Sequence, residues 1–346
     1  MLMTDIARAA GVSTSTVSRA LSGNPLIKAA TRERIAELAR NMNYQINIGA
    51  ANLRKRDLRT VGLVILGDSM QSISDPFILS LVGHIADELD ERNLNMLLSR
   101  VTQQRQHLLA QLVESGQVLG LLVIGQMNNH AQLNEIAERG TPMVVWGGLL
   151  PDSRYNIVGG DNESGGYLAT RHLLDKGCRR IAFLGDRASP EVFLRYEGYR
   201  RALAERGLTP DAQLYKPILY QDTALREVIS EWLEGRIAFD GVFATSDVAA
   251  LSVIAALSSK GLRVPDDVRV VGYDDIALSA YVHPSVSSIR QPTDLAARAM
   301  VRMLLEHAIP ADEAAHAAAE TSLQYTAPPG QAIQLGAQLI ERDSSR

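Results

Sequence analysis

The chain has 346 residues, of which 46% are hydrophobic and 5% aromatic, and a net charge of −4. This composition indicates a soluble globular protein, and the length fits a small domain joined to a larger α/β domain. The single cysteine, Cys178, excludes an intramolecular disulfide framework and a cysteine-based metal site, so we expect a buried thiol. The N-terminus lacks a secretory signal and no apolar run is long enough to cross a bilayer, so we expect a cytoplasmic protein with no membrane partner.

The charge is unevenly distributed along the chain. Residues 1–60 carry ten basic and four acidic side chains, a net charge of +6, whereas the remainder carries −10. A basic N-terminal segment on an acidic body predicts that only this segment meets a polyanion such as DNA.

Residues 4–22 predict two short helices joined by a tight turn. Thr4 is the expected N-cap of the first helix and Ser13 that of the second, with Gly11 permitting the turn between them. Val17 and Leu21 face inward at i, i+4 spacing, which leaves four polar side chains outside: Thr14, Ser15, Ser18 and Arg19. This pattern is typical of a helix-turn-helix, whose second helix enters the major groove. The alternative is a pair of ordinary surface helices.

A third helix is expected to follow, capped by Thr31 and running through TRERIAELARNMNY. Its apolar face carries Ile35, Leu38 and Met42, which would complete a small core.

From residue 61 onward, apolar runs that predict strands alternate with amphipathic segments that predict helices. The expected strands are 61–66, 94–99, 120–125, 142–147, 180–186, 241–247 and 268–275. The helix-like segments include 81–93, 170–177, 197–207 and 247–261. Such alternation predicts parallel sheets covered on both faces, and seven or more units exceed one sheet. We therefore expect an all-α helix-turn-helix domain followed by two doubly wound parallel-sheet lobes. The C-terminal IQLGAQLIERDSSR predicts a final strand with a polar end.

A ligand site is expected between these two lobes, because ligands of open α/β sheets bind beyond the carboxyl ends of the strands. Asp and Arg side chains at those ends bond vicinal hydroxyls, and aromatic faces stack on pyranose rings. The side chains that would suit a sugar there are Phe77, Trp146, Phe193, Arg195, Tyr220 and Asp274. Asp75 also follows the first strand, with helix capping as the alternative role. Packing is the alternative role of Trp146.

The run TDIARAAGVSTSTVSRALSGNPLIKAATRERIAELARNMNY resembles the DNA-binding domain of the LacI/GalR family almost position for position. The family pattern appears as Ile6-Ala7, Ala10-Gly11-Val12-Ser13 and Thr16-Val17-Ser18-Arg19. The resemblance implies that Thr14, Ser15 and Arg19 read bases. It implies that six residues contact phosphates, which position the protein without specifying sequence: Thr4, Ser13, Thr16, Ser18, Asn24 and Tyr44.

The segment QINIGAANLRKRDLRT corresponds to a hinge helix that, in family members, folds when the dimer docks on DNA. On this resemblance, Asn47 contacts DNA and Leu53 inserts into the minor groove. The family usually has proline where this chain has Ile46, and Gly49 weakens the helix by ~1 kcal/mol relative to Ala. We therefore expect hinge folding to depend more strongly on DNA here. A flexible basic linker is the alternative.

The rest of the chain resembles the family's sensor domain, which is similar to periplasmic sugar-binding proteins. The matching blocks include DNESGGYLATRHLLDKGCRRIAFLGD, RYEGYRRAL and RVPDDVRVVGYDD. The resemblance implies Arg195 and Asp274 as regular effector-binding positions. It implies four positions that vary with the ligand: Phe77, Tyr220, Ser246 and Gln291. Asp161 and Asp247 match recurrent residues whose role is structural. The expected division is 1–45 for the helix-turn-helix domain, 46–58 for the hinge, and 59–346 for effector binding and dimerisation.

No phosphate loop, dinucleotide fingerprint, HExxH cluster or Gly-x-Ser-x-Gly elbow is present in the sequence, so we expect no cofactor, no metal and no enzyme activity. We expect a homodimeric transcriptional regulator, a repressor released from operator DNA by a small effector. The expected effector is a sugar, namely a disaccharide or glucoside such as a maltose- or cellobiose-like ligand. The alternatives are a sugar-binding protein or sugar-modifying enzyme carrying a DNA-binding head, and a regulator of a non-sugar ligand such as a purine.

Overall fold

The computed structural model describes residues 3–21, 27–41, 59–67, 73–102, 107–114, 116–126, 129–150, 152–218, 225–308 and 330–346. The chain divides into two compact units, Met1–Leu58 and Arg59–Arg346. Within the described residues, no helix has the length and apolar character needed to span a membrane.

The N-terminal unit contains three helices, α1 (Met3–Ala10), α2 (Thr14–Leu21) and α3 (Ala29–Asn41). Ile6, Val17 and Ile35 are fully buried between them and form the centre of a small core. Gly11 has φ +64°, a backbone conformation that costs glycine nothing and lets α1 turn directly into α2. The predicted helix-turn-helix and third helix are therefore present.

Two of the predicted helix starts are wrong. α1 begins at Met3, so Thr4 lies inside the helix and does not cap it. α3 begins at Ala29, because the backbone N–H groups of Thr31 and Arg32 already donate to the carbonyl of Lys28. A cap contributes about 1 kcal/mol, so packing of an earlier turn can outweigh it. Ser13 does cap α2, since its Oγ accepts a hydrogen bond from the backbone N–H of Thr16 at 3.2 Å.

The C-terminal unit contains two six-stranded sheets, each the centre of one lobe. The strands of lobe 1 are β1 (Thr60–Leu66), β2 (Asn95–Val101), β3 (Leu121–Ile124), β4 (Met143–Trp146), β5 (Asn156–Gly160) and β11 (Ala332–Leu335). They are parallel throughout, in the order β11-β5-β4-β3-β1-β2. The helices that accompany this sheet are α4 (Pro76–Asp90), α5 (His107–Glu114), α6 (His130–Glu138) and α11 (Thr293–Ala308).

The strands of lobe 2 are β6 (Ile181–Leu184), β7 (Tyr215–Lys216), β8 (Gly241–Ala244), β9 (Arg269–Asp274), β10 (Ser287–Arg290) and β12 (Gln338–Ile340). Their order is β12-β10-β9-β8-β6-β7, with β12 antiparallel to β10 and the other pairs parallel. The accompanying helices are α7 (Asn162–Asp175), α8 (Pro190–Glu205), α9 (Leu225–Glu234) and α10 (Asp247–Ser259). Short 3-10 helices occupy Ala212–Leu214, Ala277–Ala280 and Asp343–Ser345.

Both faces of each sheet are covered, which confirms the prediction of two doubly wound lobes. In β1, Leu63 and Ile65 pack into one apolar cluster, whereas Val64 and Leu66 pack into a second cluster on the other face. Because both faces are buried, the strand is apolar at consecutive positions, as the sequence pattern indicated. Cys178 is buried, as expected, and burial raises the pKa of its thiol to about 11.

Three strands were not predicted because they are short or polar. β5 contains two glycines, β7 has only two residues, and β10 contains Ser287 and Ser288, which are fully buried. The hydroxyl of Ser287 donates a hydrogen bond to the carbonyl of Arg342, and the hydroxyl of Ser288 donates one to the carboxylate of Asp247. Hydrogen bonding therefore allows a polar run to occupy a central strand.

The single strand predicted at the C-terminus is also wrong. The segment divides into β11, in the sheet of lobe 1, and β12, in the sheet of lobe 2. Its expected polar end is partly buried, because Ser344 donates to the carbonyl of Val270 and Ser345 contacts the imidazole of His172. The chain thus crosses between the lobes three times: after β5, after β10 and after β11.

Helices α7 and α8 approach closely through glycine. A Cβ atom on Gly166 would overlap the carbonyl oxygen of Arg195, and one on Gly198 would overlap the carbonyl oxygen of Glu163. Both obstacles are backbone atoms, so neither can be relieved by a change of rotamer. The spacing of these helices therefore requires glycine at both positions.

We predict that Gly166→Ala destabilises the protein by roughly 1–3 kcal/mol or more, because the added methyl forces the two helices apart. The measurement is thermal unfolding of the full chain. Gly83→Ala in α4 is the matched control, since nothing lies within 4 Å of its added Cβ. The control should be neutral or slightly stabilising, as Ala favours a helix by up to about 1 kcal/mol over Gly. Equal melting temperatures for the two variants would contradict the packing argument.

Candidate functional site

The outer face of α2 carries small polar side chains and one arginine. Ser13, Thr14, Ser15 and Arg19 are exposed, whereas Thr16 is half-buried and bonds to Ser13 through its hydroxyl at 2.8 Å. Small side chains let a helix approach base edges closely, and an arginine on the same face can pair with guanine. The remaining predicted DNA contacts lie outside what the structure describes: the side chains of Thr4 and Ser18, and residues Asn24, Tyr44, Asn47 and Leu53.

Arg195 is the centre of a polar cluster in lobe 2. Its side chain is only 3% exposed, although it lies in α8. Its Nε donates to Oδ1 of Asn162 at 2.9 Å, and its Nη1 donates to the carbonyl of Thr245 at 2.6 Å. The guanidinium lies 3.6 Å from the ring centroid of Tyr273, which adds a cation–π contact. Arg195 is therefore fixed by three segments of the chain.

Asp274 lies at the end of β9, directly after Tyr273. It has φ +102°, which is strained for a residue with a side chain, and such strain is concentrated at functional sites. Its Oδ1 accepts a hydrogen bond from the amide of Gln291 at 2.7 Å. Gln291 follows β10, where the chain crosses back to lobe 1, and its Oε1 lies against Gly160 at the end of β5.

Burial raises the pKa of Asp274 well above its usual value, although the neighbouring Arg195 opposes the shift. The carboxyl groups of Asp247 and Asp75 raise it further. Asp75 belongs to lobe 1 and Asp274 to lobe 2, so the structure brings polar groups of both lobes to one place.

Asp75, Phe77 and Trp146 lie at the carboxyl edge of the lobe 1 sheet. Asp75 caps α4, accepting hydrogen bonds from the backbone N–H groups of Phe77 and Ile78 at 3.0 and 3.2 Å. Burial raises the pKa of Asp75, although these two hydrogen bonds act to lower it. The rings of Phe77 and Trp146 have centroids 6.0 Å apart, and Trp146 is 6% exposed within the lobe 1 core. Capping and packing are thus real roles of these residues.

Of the remaining predicted effector contacts, Ser246 serves the backbone and Phe193 lies apart from the Arg195 cluster. Ser246 is buried and caps α10 by accepting from the N–H of Ala249 at 3.2 Å. Phe193 is 49% exposed and lies on a different side of α8 from Arg195, since residues two apart in a helix do not face each other. Tyr220 lies outside the described residues.

The aspartates expected to be structural have structural contacts. Asp161 caps α7 by accepting from the N–H of Ser164 at 3.0 Å. Asp247 is fully buried and accepts from Ser288, Ser279 and the N–H of Ile276 at 2.6–2.8 Å. It therefore holds the loop that follows Asp274.

Comparisons with known proteins identify relatives of this chain. Residues 2–47 match the family described as "Bacterial regulatory proteins, lacI family", and residues 170–345 match the "Periplasmic binding protein-like domain". The HTH-type transcriptional regulator CelR of Thermobifida fusca is 32% identical over 312 residues, 87% of this chain and 90% of that protein. The HTH-type transcriptional repressor PurR of Aliivibrio salmonicida (strain LFI1238) is 30% identical over 311 residues, again 87% and 90%. A solved "transcriptional regulator CelR-cellobiose complex" is 29% identical with a TM-score of 0.69, covering 99% of both chains.

The chain belongs to the LacI family. As a LacI-family protein it is a DNA-binding transcriptional regulator, with a helix-turn-helix domain followed by a periplasmic-binding-protein-like domain. The resemblance expected from the sequence is confirmed for both parts of the chain. Among the described residues, no group of His, Cys, Asp and Glu side chains is arranged to hold a metal ion.

Sequence reasoning missed the residues that fix Arg195. Asn162 is 2% exposed and bonds to Arg195, to the hydroxyl of Tyr273 and to the carbonyl of Gly160. Asn162 follows Asp161 in the Asp-Asn pair that opens α7, but only the aspartate was considered. Asn162 lies two residues after the end of β5, a strand that the sequence pattern did not predict, so no local signal marked it.

We predict that the stability difference between Asp247→Asn and the wild type depends on pH. Burial raises the pKa of Asp247 to about 7, above its unfolded value near 4, so its contribution to folding is fully present below pH 4 and is lost as the pH rises to 7. The asparagine variant does not ionise at this position. Its free energy of unfolding, relative to that of the wild type, should therefore rise by a few kcal/mol between pH 5 and pH 8. The measurement is thermal unfolding of both proteins at the two pH values.

Exposed Asp90 at the end of α4 provides the matched control, because Asp90→Asn makes the same substitution outside the core. A difference for Asp247→Asn that stays constant from pH 5 to pH 8 would show that this carboxyl does not titrate there.

Proposed function

We propose that this protein is a homodimeric repressor that binds operator DNA through residues 1–45 and releases it when a sugar binds in residues 59–346. Residues 46–58 form the proposed hinge between these parts. The observation that carries the proposal is the buried cluster around Arg195, in which a cation, a carboxyl and an amide are already fixed beside one another.

The Arg195 cluster supports binding of a hydroxyl-rich ligand. Arg195 supplies donors and Asp274 supplies acceptors, a combination that suits vicinal hydroxyls. The tilted pair of Phe77 and Trp146 lies at the corresponding edge of the other lobe, where aromatic rings can stack on pyranose faces. Proposed further contacts, to be tested residue by residue, are Asp75, Phe193, Tyr220, Ser246 and Gln291.

A disaccharide or glucoside is the proposed class of effector. Support comes from the solved CelR–cellobiose complex, which aligns over nearly the whole chain. Cellobiose and maltose are therefore the first ligands to test, with a purine base as the non-sugar comparison.

The DNA-reading proposal concerns the outer face of α2. Thr14, Ser15 and Arg19 are proposed to contact bases, whereas Ser13 and Thr16 are proposed to contact phosphates together with Thr4, Ser18, Asn24 and Tyr44. Asn47 and Leu53 are proposed as hinge contacts. Two heads on one pseudo-palindromic operator match the twofold symmetry of a dimer.

The proposed mechanism links the cleft to the heads through lobe movement. A sugar that prefers one arrangement of the lobes shifts the population toward it, and so changes the operator affinity of the dimer. Release by sugar is the proposed sign, since the effector then reports the supply of a substrate. The proposed place of action is the cytoplasm, where operator DNA lies. We infer no enzyme activity, in keeping with relatives that are transcriptional regulators.

We predict that Arg195→Ala abolishes the response to sugar while operator binding persists. Removing a charged hydrogen-bond donor should weaken sugar binding roughly tenfold or more. The measurement is fluorescence anisotropy of an operator selected from a random DNA pool, with cellobiose or maltose titrated into the complex. Arg200→Ala is the matched control, because Arg200 is an exposed arginine of the same helix. A full sugar response in Arg195→Ala would refute the assignment of the effector site.

The reciprocal variant is Arg19→Ala. Loss of a bidentate arginine–guanine contact costs about 1–3 kcal/mol, so operator affinity should fall roughly 5- to 150-fold. Sugar binding to the free protein, followed by calorimetry, should be unchanged. Equal losses of affinity for operator and for unrelated DNA would mean that Arg19 contacts phosphate and reads no base.

A further inference from the structure

A pocket lies on lobe 2, at the sheet edge formed by β7, away from the Arg195 cluster. It has a volume of about 130 Å³, is open to solvent on one side, and is lined by residues of β6, β7, helix α8 and the 3-10 turn before β7. Buried Phe183 and Tyr199 form its floor, and half-buried Tyr196 and Tyr215 form its walls. Each wall ring lies 5.1–6.4 Å from Phe183, centroid to centroid, and the two wall rings are 6.1 Å apart.

An arginine side chain lies across this aromatic pocket. The guanidinium of Arg187 is 3.9 Å from the ring centroid of Tyr215 and 4.6 Å from that of Tyr196. Hydrogen bonding to Tyr215 raises the pKa of Arg187, so it stays charged. The acidic residue of the lining, Asp211, is instead paired with Arg180 at 3.0 Å. In the part of the chain that the structure describes, Arg187 has no carboxylate within ion-pair distance.

The pocket is separate from the Arg195 cluster although both use α8. Tyr196 and Tyr199 face the pocket, whereas Arg195 faces Asn162 and Tyr273, and neither of the latter lines the pocket. Neighbouring residues of a helix point in different directions, so one helix serves two sites.

We propose that this pocket is a second small-molecule site, which binds a single aromatic ring carrying one carboxylate. The proposal does not depend on the sugar response. An apolar cavity of about 150 Å³ accommodates benzene, so this volume suits one ring. Aromatic rings attract one another in edge-to-face and offset arrangements, which the four rings of the pocket offer. A carboxylate on that ring would pair with the guanidinium of Arg187 in a charge-assisted contact.

The test is calorimetric titration of the full chain with benzoate, and with benzamide as its neutral counterpart. Arg187→Gln should weaken benzoate binding roughly tenfold or more, since it removes the charged partner. It should leave benzamide binding unchanged. Arg200→Gln is the matched control, because Arg200 is an exposed arginine of α8 that does not line the pocket and is paired with Glu197, and benzoate binding should persist. Arg187 is exposed, so its substitution should not affect folding, which thermal unfolding verifies.

Arg195→Gln locates the bound ring. Benzoate affinity that survives Arg195→Gln and falls in Arg187→Gln supports the second site. Binding that is lost in Arg195→Gln and retained in Arg187→Gln would place benzoate in the cleft and overturn the proposal. Absence of saturable benzoate binding to the wild type at millimolar concentration would overturn it as well.

Discussion

A buried guanidinium is the constraint on which the effector half of this protein depends. Removing a charged side chain from water costs several kcal/mol unless its donors are satisfied. Arg195 is satisfied by Asn162, by the carbonyl of Thr245 and by the face of Tyr273, which come from three different segments. The glycines between α7 and α8 follow from the same requirement, because any side chain at Gly166 would displace the backbone that carries Arg195. One buried cation thus fixes helix spacing, a loop carbonyl and a strand end together.

The two crossings of the chain near the cleft are tied to the two polar residues of the proposed effector site. Asn162 follows the first crossing and holds Arg195, while its amide also bonds the last carbonyl of β5 in lobe 1. Gln291 precedes the second crossing and holds Asp274. A ligand that bonds Arg195 and Asp274 therefore acts on the segments about which the lobes would rotate. Coupling requires such a physical link to an element with two arrangements, and in the proposed mechanism the two crossings would be that element.

The sequence allowed the fold to be predicted wherever residues follow the period of their element. Consecutive apolar residues predicted β1, β3, β4, β6, β8 and β9, because strands buried on both faces have no polar side. β5 and β10 were missed, since glycine and serine there are made compatible with burial by contacts distant in sequence. Arg195 and Asp274 were predicted from their places after strand ends and again from the family resemblance, whereas Asn162 was not predicted. Its role depends on the packing of α7 on α8, which no local pattern encodes. The sequence left helix capping as an alternative role of Asp75, and the hydrogen bonds at the start of α4 show that it caps this helix.

The charge balance of the cluster bears on the kind of ligand it accepts. Burial raises the pKa of Asp75, Asp247 and Asp274, and the first two also raise that of Asp274. Arg195 is the cation that opposes this effect. An anionic ligand would gain the contact with Arg195 but would add a further negative charge beside carboxyl groups that already resist ionisation. A neutral polyhydroxyl ligand would accept hydrogen bonds from Arg195 and donate them to Asp274 without adding charge to the cluster. For the proposed effector, this charge balance supports an uncharged sugar over a phosphorylated or carboxylated one. The pocket at the β7 edge differs in charge from the Arg195 cluster. Its guanidinium, Arg187, has no carboxylate partner among the described residues, whereas Arg195 lies beside buried carboxyl groups.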